Sequence, residues 1–253
     1  MARFARYLNK EGVPGWAMLN SGGKFLEIEG DRFTRYNVTD RIVDSSSVMI
    51  LPPSEPTKIV AVGLNYRDHA EEMNMDIPDE PVLFIKTPNT LTAHNAAVKL
   101  PDGAGRVDYE AELAIIIKND IKNISEDEVK SNILGYTCFN DVTARDLQKK
   151  DGQWTRAKCF DTFAPAGPYF TKDADPDNLK IKMYLNGEIK QDSTTANFIF
   201  KTFYVISYIS KIMTLRRGDI VTTGTPPGIG PVKKGDLMEV EIEGIGKLSN
   251  MAE

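Results

Sequence analysis

Apolar residues fall in short blocks broken by polar and Gly- or Pro-containing stretches, a rhythm that predicts strands more often than helices. Residues 15–19 and 24–28, joined by Ser21-Gly22-Gly23, read as a β-like pair closed by a turn. The run 58–63 reads as a buried strand, 81–86 as another, and 110–117 as a third that alternates at its start and is apolar at its end. Residues 180–185 and 188–190 flank Asn186-Gly187, the turn pair of a tight hairpin. Runs 219–223 and 237–243 predict closing strands. Helical periodicity predicts 65–74, 125–132 with a Ser125/Glu128 capping box, and 197–213 with Phe203, Ile206, Ile209 and Met213 on one face. Strands outnumber helices without regular βαβ alternation, so the fold class is mainly β, or α+β with a mixed sheet.

Pro52, Pro53 and Pro56 exclude helix interior and central strand, and a linker is placed there. It divides a small β-containing N-terminal domain, residues 1–57, from a larger domain, residues 58–253. The chain of 253 residues is long enough to bury a sizeable core. Lys and Arg number 31 against 36 Asp and Glu, a net charge of −5 that argues against a phosphate-gripping nucleic-acid binder. The first segment is neutral, so the acidic excess lies beyond it. No apolar run approaches a membrane span or a signal peptide, and a cytoplasmic protein is expected. Cys138 and Cys159 form no CxxC and read as reduced thiols. With only His69 and His94, a three-histidine zinc site is impossible, and any metal must rest on oxygen ligands.

Glu110 and Glu112 stand two apart in a predicted strand and leave the same face, where their charges repel unless a cation lies between them. Asp141 sits where a strand gives way to a predicted helix. Three such carboxylates suit a hard dication, Mg²⁺ or Mn²⁺. The same spacing also suits a solvated Glu-x-Glu on an edge strand, with Asp141 as a helix cap. Arg145 and Gln148 follow Asp141 by four and seven, on one helical face, and Lys158 comes soon after. Such cations suit an anionic, oxygen-rich small molecule, although Arg145 could instead pair with Asp141 or Asp146. His69 and Glu72 are helical neighbours, so the carboxylate can hold one imidazole nitrogen while the other takes a proton; a plain surface pair has the same spacing. His94 has no paired acid and reads as structural. The loop from Thr222 to Gly230 presents backbone N–H groups and a hydroxyl to an anion or oxyanion.

In order, Val62-Gly63-Leu64-Asn65-Tyr66 with His69 and Glu72, Asp108-Tyr109-Glu110-Ala111-Glu112-Leu113, and Gly135-Tyr136 leading to Asn140-Asp141-Val142-Thr143-Ala144-Arg145-Asp146-Leu147-Gln148 carry a family pattern. Lys158-Cys159-Phe160-Asp161-Thr162-Phe163, Thr223-Gly224-Thr225-Pro226 and Glu243-Gly244-Ile245-Gly246 complete it. Over residues 58–253 the chain resembles the fumarylacetoacetate hydrolase family. The resemblance implies a mixed β-roll, a homodimer, and a metal site of Glu110, Glu112 and Asp141. It also implies catalytic His69 and Glu72 on a mobile lid (residues 71–80), with Lys158 nearby. Arg145, Gln148, Thr225 and Gly224 are the implied substrate contacts, the lid and the N-terminal segment are expected along the substrate's tail, and Asp161 is placed either near the metal or against Lys158.

The implied activity is hydrolysis of a C–C bond in an acylpyruvate or a fumarylacetoacetate-like β-diketo acid. The departing carbanion must be delocalised as an enolate, whose charge a dication stabilises while His69 activates water. Isomerisation of a 2-hydroxyhepta-2,4-diene-1,7-dioate and decarboxylation of oxaloacetate use the same electron sink, and an idle carboxylate-binding protein is the non-enzymatic alternative.

Overall fold

A computed structural model describes all residues except Ser21, Met73 and Met75; the expected turn at 21–23 and the lid at 71–80 therefore lie partly outside the described residues. The first part of the chain forms β1 (Arg3–Leu8), β2 (Pro14–Leu19), β3 (Phe25–Gly30), β4 (Tyr36–Val43) and β5 (Met49–Leu51). Next come β6 (Ile59–Gly63), α1 (Arg67–Glu72), β7 (Val82–Lys86), β8 (Leu91–Thr92), β9 (Val107–Tyr109) and β10 (Ala111–Ile117). The middle holds α2 (Glu126–Val129), β11 (Ile133–Asn140), β12 (Thr143–Ala144), α3 (Arg145–Asp151), α4 (Thr155–Lys158) and β13 (Ala164–Thr171). The chain closes with β14 (Lys180–Leu185), β15 (Glu188–Thr194), α5 (Thr202–Ile212), β16 (Ile220–Thr222), β17 (Gly230–Pro231), β18 (Leu237–Ile242) and β19 (Gly246–Met251).

The long sheet runs β4-β3-β2-β1-β13-β11-β10-β16-β6-β7, with β5 on β1 and β8 on β13. Most pairs are antiparallel; β16 with β6 and β13 with β8 are parallel, so the sheet is mixed as expected. Smaller sheets β12-β9-β17 and β15-β14-β18-β19 pack beside it. β6 and β10 are buried along their whole length, which explains the apolar run of β6 and that of Leu113 to Ile117 in β10. Alternation along β10 sends Leu113, Ile115 and Ile117 to the largest core, while Ala114 and Ile116 join clusters on the other face.

Several elements depart from their expected bounds for identifiable reasons. The helix expected at 65–74 begins only at Arg67, because Asn65 turns its side chain to distant backbone. The helix expected at 197–213 begins at Thr202, because the peptide N–H groups of Ile199 and Phe200 bond to Asn65 rather than to a preceding turn. Residues 126–132 are one α-helical turn followed by a 3₁₀ turn, with Glu128 accepting the Ser125 N–H at 2.8 Å. The proline stretch is irregular but not exposed throughout: Pro53, Ser54 and Pro56 are buried, and Ser54 donates to Gly218 O.

Candidate active site

Cross-strand pairing brings the acids together. Ala111 on β10 is opposite Asn140 on β11, the Asn140 side chain accepts the Glu110 N–H at 3.0 Å, and the Asp141 N–H donates to Glu110 O at 2.9 Å. That register sets Asp141 against Glu110, and the pleat adds Glu112 on the same side. Glu110, Glu112 and Asp141 each present an oxygen within 4.8 Å of the others, at exposures of only 5, 1 and 0 %. They are therefore neither a solvated pair on an edge strand nor a helix cap. Asp141 also shares no helical face with Arg145 and Gln148, as the spacing had suggested: β12 intervenes and α3 starts at Arg145.

Buried carboxylates need partners. Lys158 Nζ donates to Asp141 Oδ2 at 2.5 Å and to Glu110 Oε2 at 2.9 Å. Lys86 Nζ donates to Asp141 Oδ1 at 2.5 Å and to Val142 O at 3.2 Å. Arg145 pairs with Glu110, donates from Nε to Asp108 Oδ2 at 2.9 Å, and reaches Gln148 Oε1 at 2.5 Å; its partners are not Asp141 or Asp146. Burial alone would raise the Glu110 carboxyl, but Lys158 and Arg145 outweigh it and hold the group at about 2. Burial lowers the Lys158 ammonium, yet Asp141 and Glu110 reverse this and the net shift is upward. Glu112 differs. Among the described residues no side-chain cation pairs with it, and its hydrogen bond comes from the Gly224 N–H at 3.0 Å. Burial, then the charges of Asp141 and Glu110, push it well above the usual carboxylate range.

Across the opening, His69 Nδ1 lies 2.9 Å from Glu72 Oε2, and Glu72 accepts the Gly228 N–H at 3.1 Å. Asp68, next to His69, is held by Ser193 and Asn197. A cavity of about 300 Å³ joins His69 to Glu110, Glu112, Asp141, Arg145, Gln148, Lys158 and Thr225. Its remaining wall is largely apolar, with Val62, Leu64, Phe84, Trp154 and Ile229; Lys149 is at the lip. Gly63 is bare because a Cβ there would lie 2.9 Å from the Trp154 ring.

Three placements differ from expectation. Gly224 is behind Glu112 rather than on the cavity wall, since its N–H is taken by that carboxylate. The loop's donors thus serve Glu112 and Glu72, and the Thr225 hydroxyl accepts from Gln191 at 2.8 Å. Asp161 is exposed and accepts from Asn89 at 2.7 Å; it neither lines the cavity nor accepts from Lys158, whose partners are Glu110 and Asp141. Among the described residues the cavity lining runs from Val62 to Ile229, and none of it comes from the N-terminal segment. His94 is structural, its Nδ1 accepting the Ser249 N–H at 3.0 Å. Sequence reasoning passed over Lys86, Gln191 and Asp108; only Asp108 left a signal, as the third acid in an every-second-residue series with Glu110 and Glu112.

Residues 58–252 match the family described as fumarylacetoacetate (FAA) hydrolase, C-terminal, and residues 2–53 match the Rv2993c-like N-terminal family. An uncharacterized protein of Archaeoglobus fulgidus is 55% identical over 210 residues, covering 83% of this chain and 84% of its own. The mitochondrial oxaloacetate tautomerase Fahd2a of Rattus norvegicus is 42% identical over 221 residues, covering 83% of this chain and 71% of its own. The crystal structure of 2-hydroxyhepta-2,4-diene-1,7-dioate isomerase from Mycobacterium marinum superposes with a TM-score of 0.92 at 38% identity, over 100% of this chain and 98% of that one. Buried acids converging from two strands, with cations behind them and a histidine opposite, make an enzyme site. The chain belongs to the fumarylacetoacetate hydrolase family.

The donor set fits the divalent ion implied by that family. Three oxygens within 4.8 Å suit one hard cation with bonds of about 2.0–2.6 Å. Glu112, the acid without a cation, is the group such an ion would keep ionised. No helix among the described residues is long and apolar enough to cross a membrane.

Proposed function

We propose that the protein moves a proton between carbon and oxygen of a 2-oxo dicarboxylate such as oxaloacetate, interconverting keto and enol forms. Mg²⁺ or Mn²⁺ would be held by Glu110, Glu112 and Asp141. When bound, the dication supplies Lewis-acid stabilisation of negative charge on the substrate oxygen. The observation that carries this reading is the His69–Glu72 pair facing the acid–cation cluster across one small cavity. Glu72 holds Nδ1, so Nε2 is the nitrogen that takes the proton from the carbon beside the carbonyl. Arg145 and Lys158 face the end where negative charge grows. Lys149, exposed on the cavity wall and without an ion pair among the described residues, would take a distal carboxylate. The relatives bearing tautomerase and isomerase names support the same chemistry.

Hydrolysis of an acylpyruvate C–C bond is the second reading. It is favoured by the apolar wall of Val62, Leu64, Phe84, Trp154 and Ile229, which suits an acyl tail better than a charge. There His69 would deprotonate water instead. Both readings take a small 2-oxo acid as partner, and the family resemblance adds a homodimer, checked by sedimentation mass.

The test follows loss of enol absorbance from oxaloacetate, with pyruvate release from oxaloacetate and from acylpyruvates measured alongside. Ketonisation without pyruvate supports the first reading, pyruvate from acylpyruvates supports the second, and pyruvate from oxaloacetate marks decarboxylation. His69→Ala is expected to lose about 10²–10⁴-fold in rate while melting normally. Full activity in that variant would remove the proposed base.

A further inference from the structure

Lys86 is fully buried, yet it is absent from the cavity lining. It stands behind Asp141, holding Oδ1 at 2.5 Å, while Lys158 holds Oδ2 at 2.5 Å from the cavity side. A lysine taken out of water is costly, and a buried ion pair adds little net stability over apolar packing, so stability alone does not explain it. Val82, Phe84 and Lys86 alternate along β7, and Phe84 lies on the cavity wall under Lys158, whose Nζ is 4.7 Å from its ring centroid. The strand therefore aims Lys86 at the acids from the side a substrate cannot reach.

Charge shows what this arrangement does. Four carboxylates, Asp108, Glu110, Glu112 and Asp141, face four side-chain cations, Lys86, Arg106, Arg145 and Lys158. A bound dication leaves a surplus of two positive charges; without Lys86 that surplus is one. We infer that Lys86 is a positioning residue that pins Asp141 Oδ1, leaves Oδ2 as the cavity-side donor, and makes the metal-loaded site attract the carboxylate and enolate oxygens of a 2-oxo acid. The inference rests on the reading that the site holds a dication and such an acid.

The two roles separate by sign. Lys86 repels a dication and attracts the anion that follows it, so its removal tightens the first binding step and weakens the second. Calorimetric titration of the full chain with Mn²⁺, and then with oxalate at saturating Mn²⁺, reads both steps without turnover. In Lys86→Met and Lys86→Gln, Mn²⁺ is expected to bind roughly tenfold more tightly and oxalate roughly tenfold more weakly than in wild type. Parallel weakening of both steps, as from a purely structural lysine, or no change in either, overturns the inference. Should Lys86→Met not fold, Lys86→Gln keeps an N–H donor for Asp141 and carries the same comparison. If neither folds with Mn²⁺ present, the lysine is a folding requirement and the inference fails. Wild type that binds no oxalate sinks this inference and the reading beneath it together, whereas normal wild-type binding with unchanged variants sinks this inference alone.

Discussion

A side chain stripped of water keeps whichever protonation state its neighbours can satisfy, and His94 shows this as clearly as the acids do. Its Nδ1 accepts the Ser249 N–H at 3.0 Å, a bond available only to the neutral ring. Burial lowers its pKa from 6.5, with Glu239 opposing. A depressed folded value means stability that is present above 6.5 and lost as pH falls through the folded value. Melting temperature should therefore drop as pH falls below 6.5, and His94→Asn, whose amide oxygen replaces the acceptor, should flatten that slope. An unchanged slope in the variant would assign the acid sensitivity elsewhere. The convergence of single residues was largely legible in the sequence: Glu110, Glu112, Asp141, Arg145, Gln148, Lys158, His69 and Thr225 do meet around one cavity. Lys86 was not, because a lysine ending an apolar strand looks the same whether its ammonium reaches solvent or an acid 55 positions away. Gln191 was hidden in the same way; its bonds to the Ala111 N–H and the Thr225 hydroxyl span distances in sequence that no local pattern reports.

Between elements, the principal clamp on the His69 side of the cavity is Asn65. Its Oδ1 accepts the Phe200 N–H at 2.8 Å, and its Nδ2 donates to Thr223 O at 2.9 Å and to Phe200 O at 3.2 Å. One buried amide thus ties the end of β6 to the lead-in of α5 and to the loop after β16. Asn65→Ala leaves the part-buried Phe200 N–H and the Phe200 and Thr223 carbonyls without the Asn65 amide and should cost about 2–4 kcal/mol. Because α1 begins two residues later, the same change should lower turnover beyond the loss of folded protein; a variant that melts early but keeps full specific activity would show that the clamp does not position His69. Such tertiary bonds also explain where element boundaries escaped prediction. The hairpin at Asn186-Gly187 was legible because both residues adopt positive φ, 53° and 82°, as that turn demands. The starts of α1 and α5 were not, because the long-range bonds between Asn65 and residues 199–200, rather than a local capping sequence, decide them.

At the scale of the molecule, none of the described residues among the first 57 lines the cavity, yet the segment extends the same sheet. β1 pairs with β13 at Arg3↔Thr171 and Phe4↔Phe170, and the Phe4 and Phe170 rings stack at 5.1 Å. One hydrophobic cluster draws Phe4, Ile28 and Phe33 from this segment and Ile116, Leu134 and Phe170 from the rest. Removing residues 1–57 would bare the last three side chains, each worth about 1.5–3 kcal/mol when buried, and open the β13 edge to other chains. For a domain this large, 1 kcal/mol moves Tm by about 2–4 °C, so fragment 58–253 should melt at least about 10 °C below the full chain and aggregate on heating. Its acids, lysines and His69 all remain, so whatever folds at low temperature should still bind Mn²⁺. A fragment with the full chain's Tm would mean that the β1–β13 seam contributes little. A fragment that melts early yet binds Mn²⁺ as the whole protein does would assign the N-terminal strands to the stability of the sheet and leave the chemistry to residues 58–253.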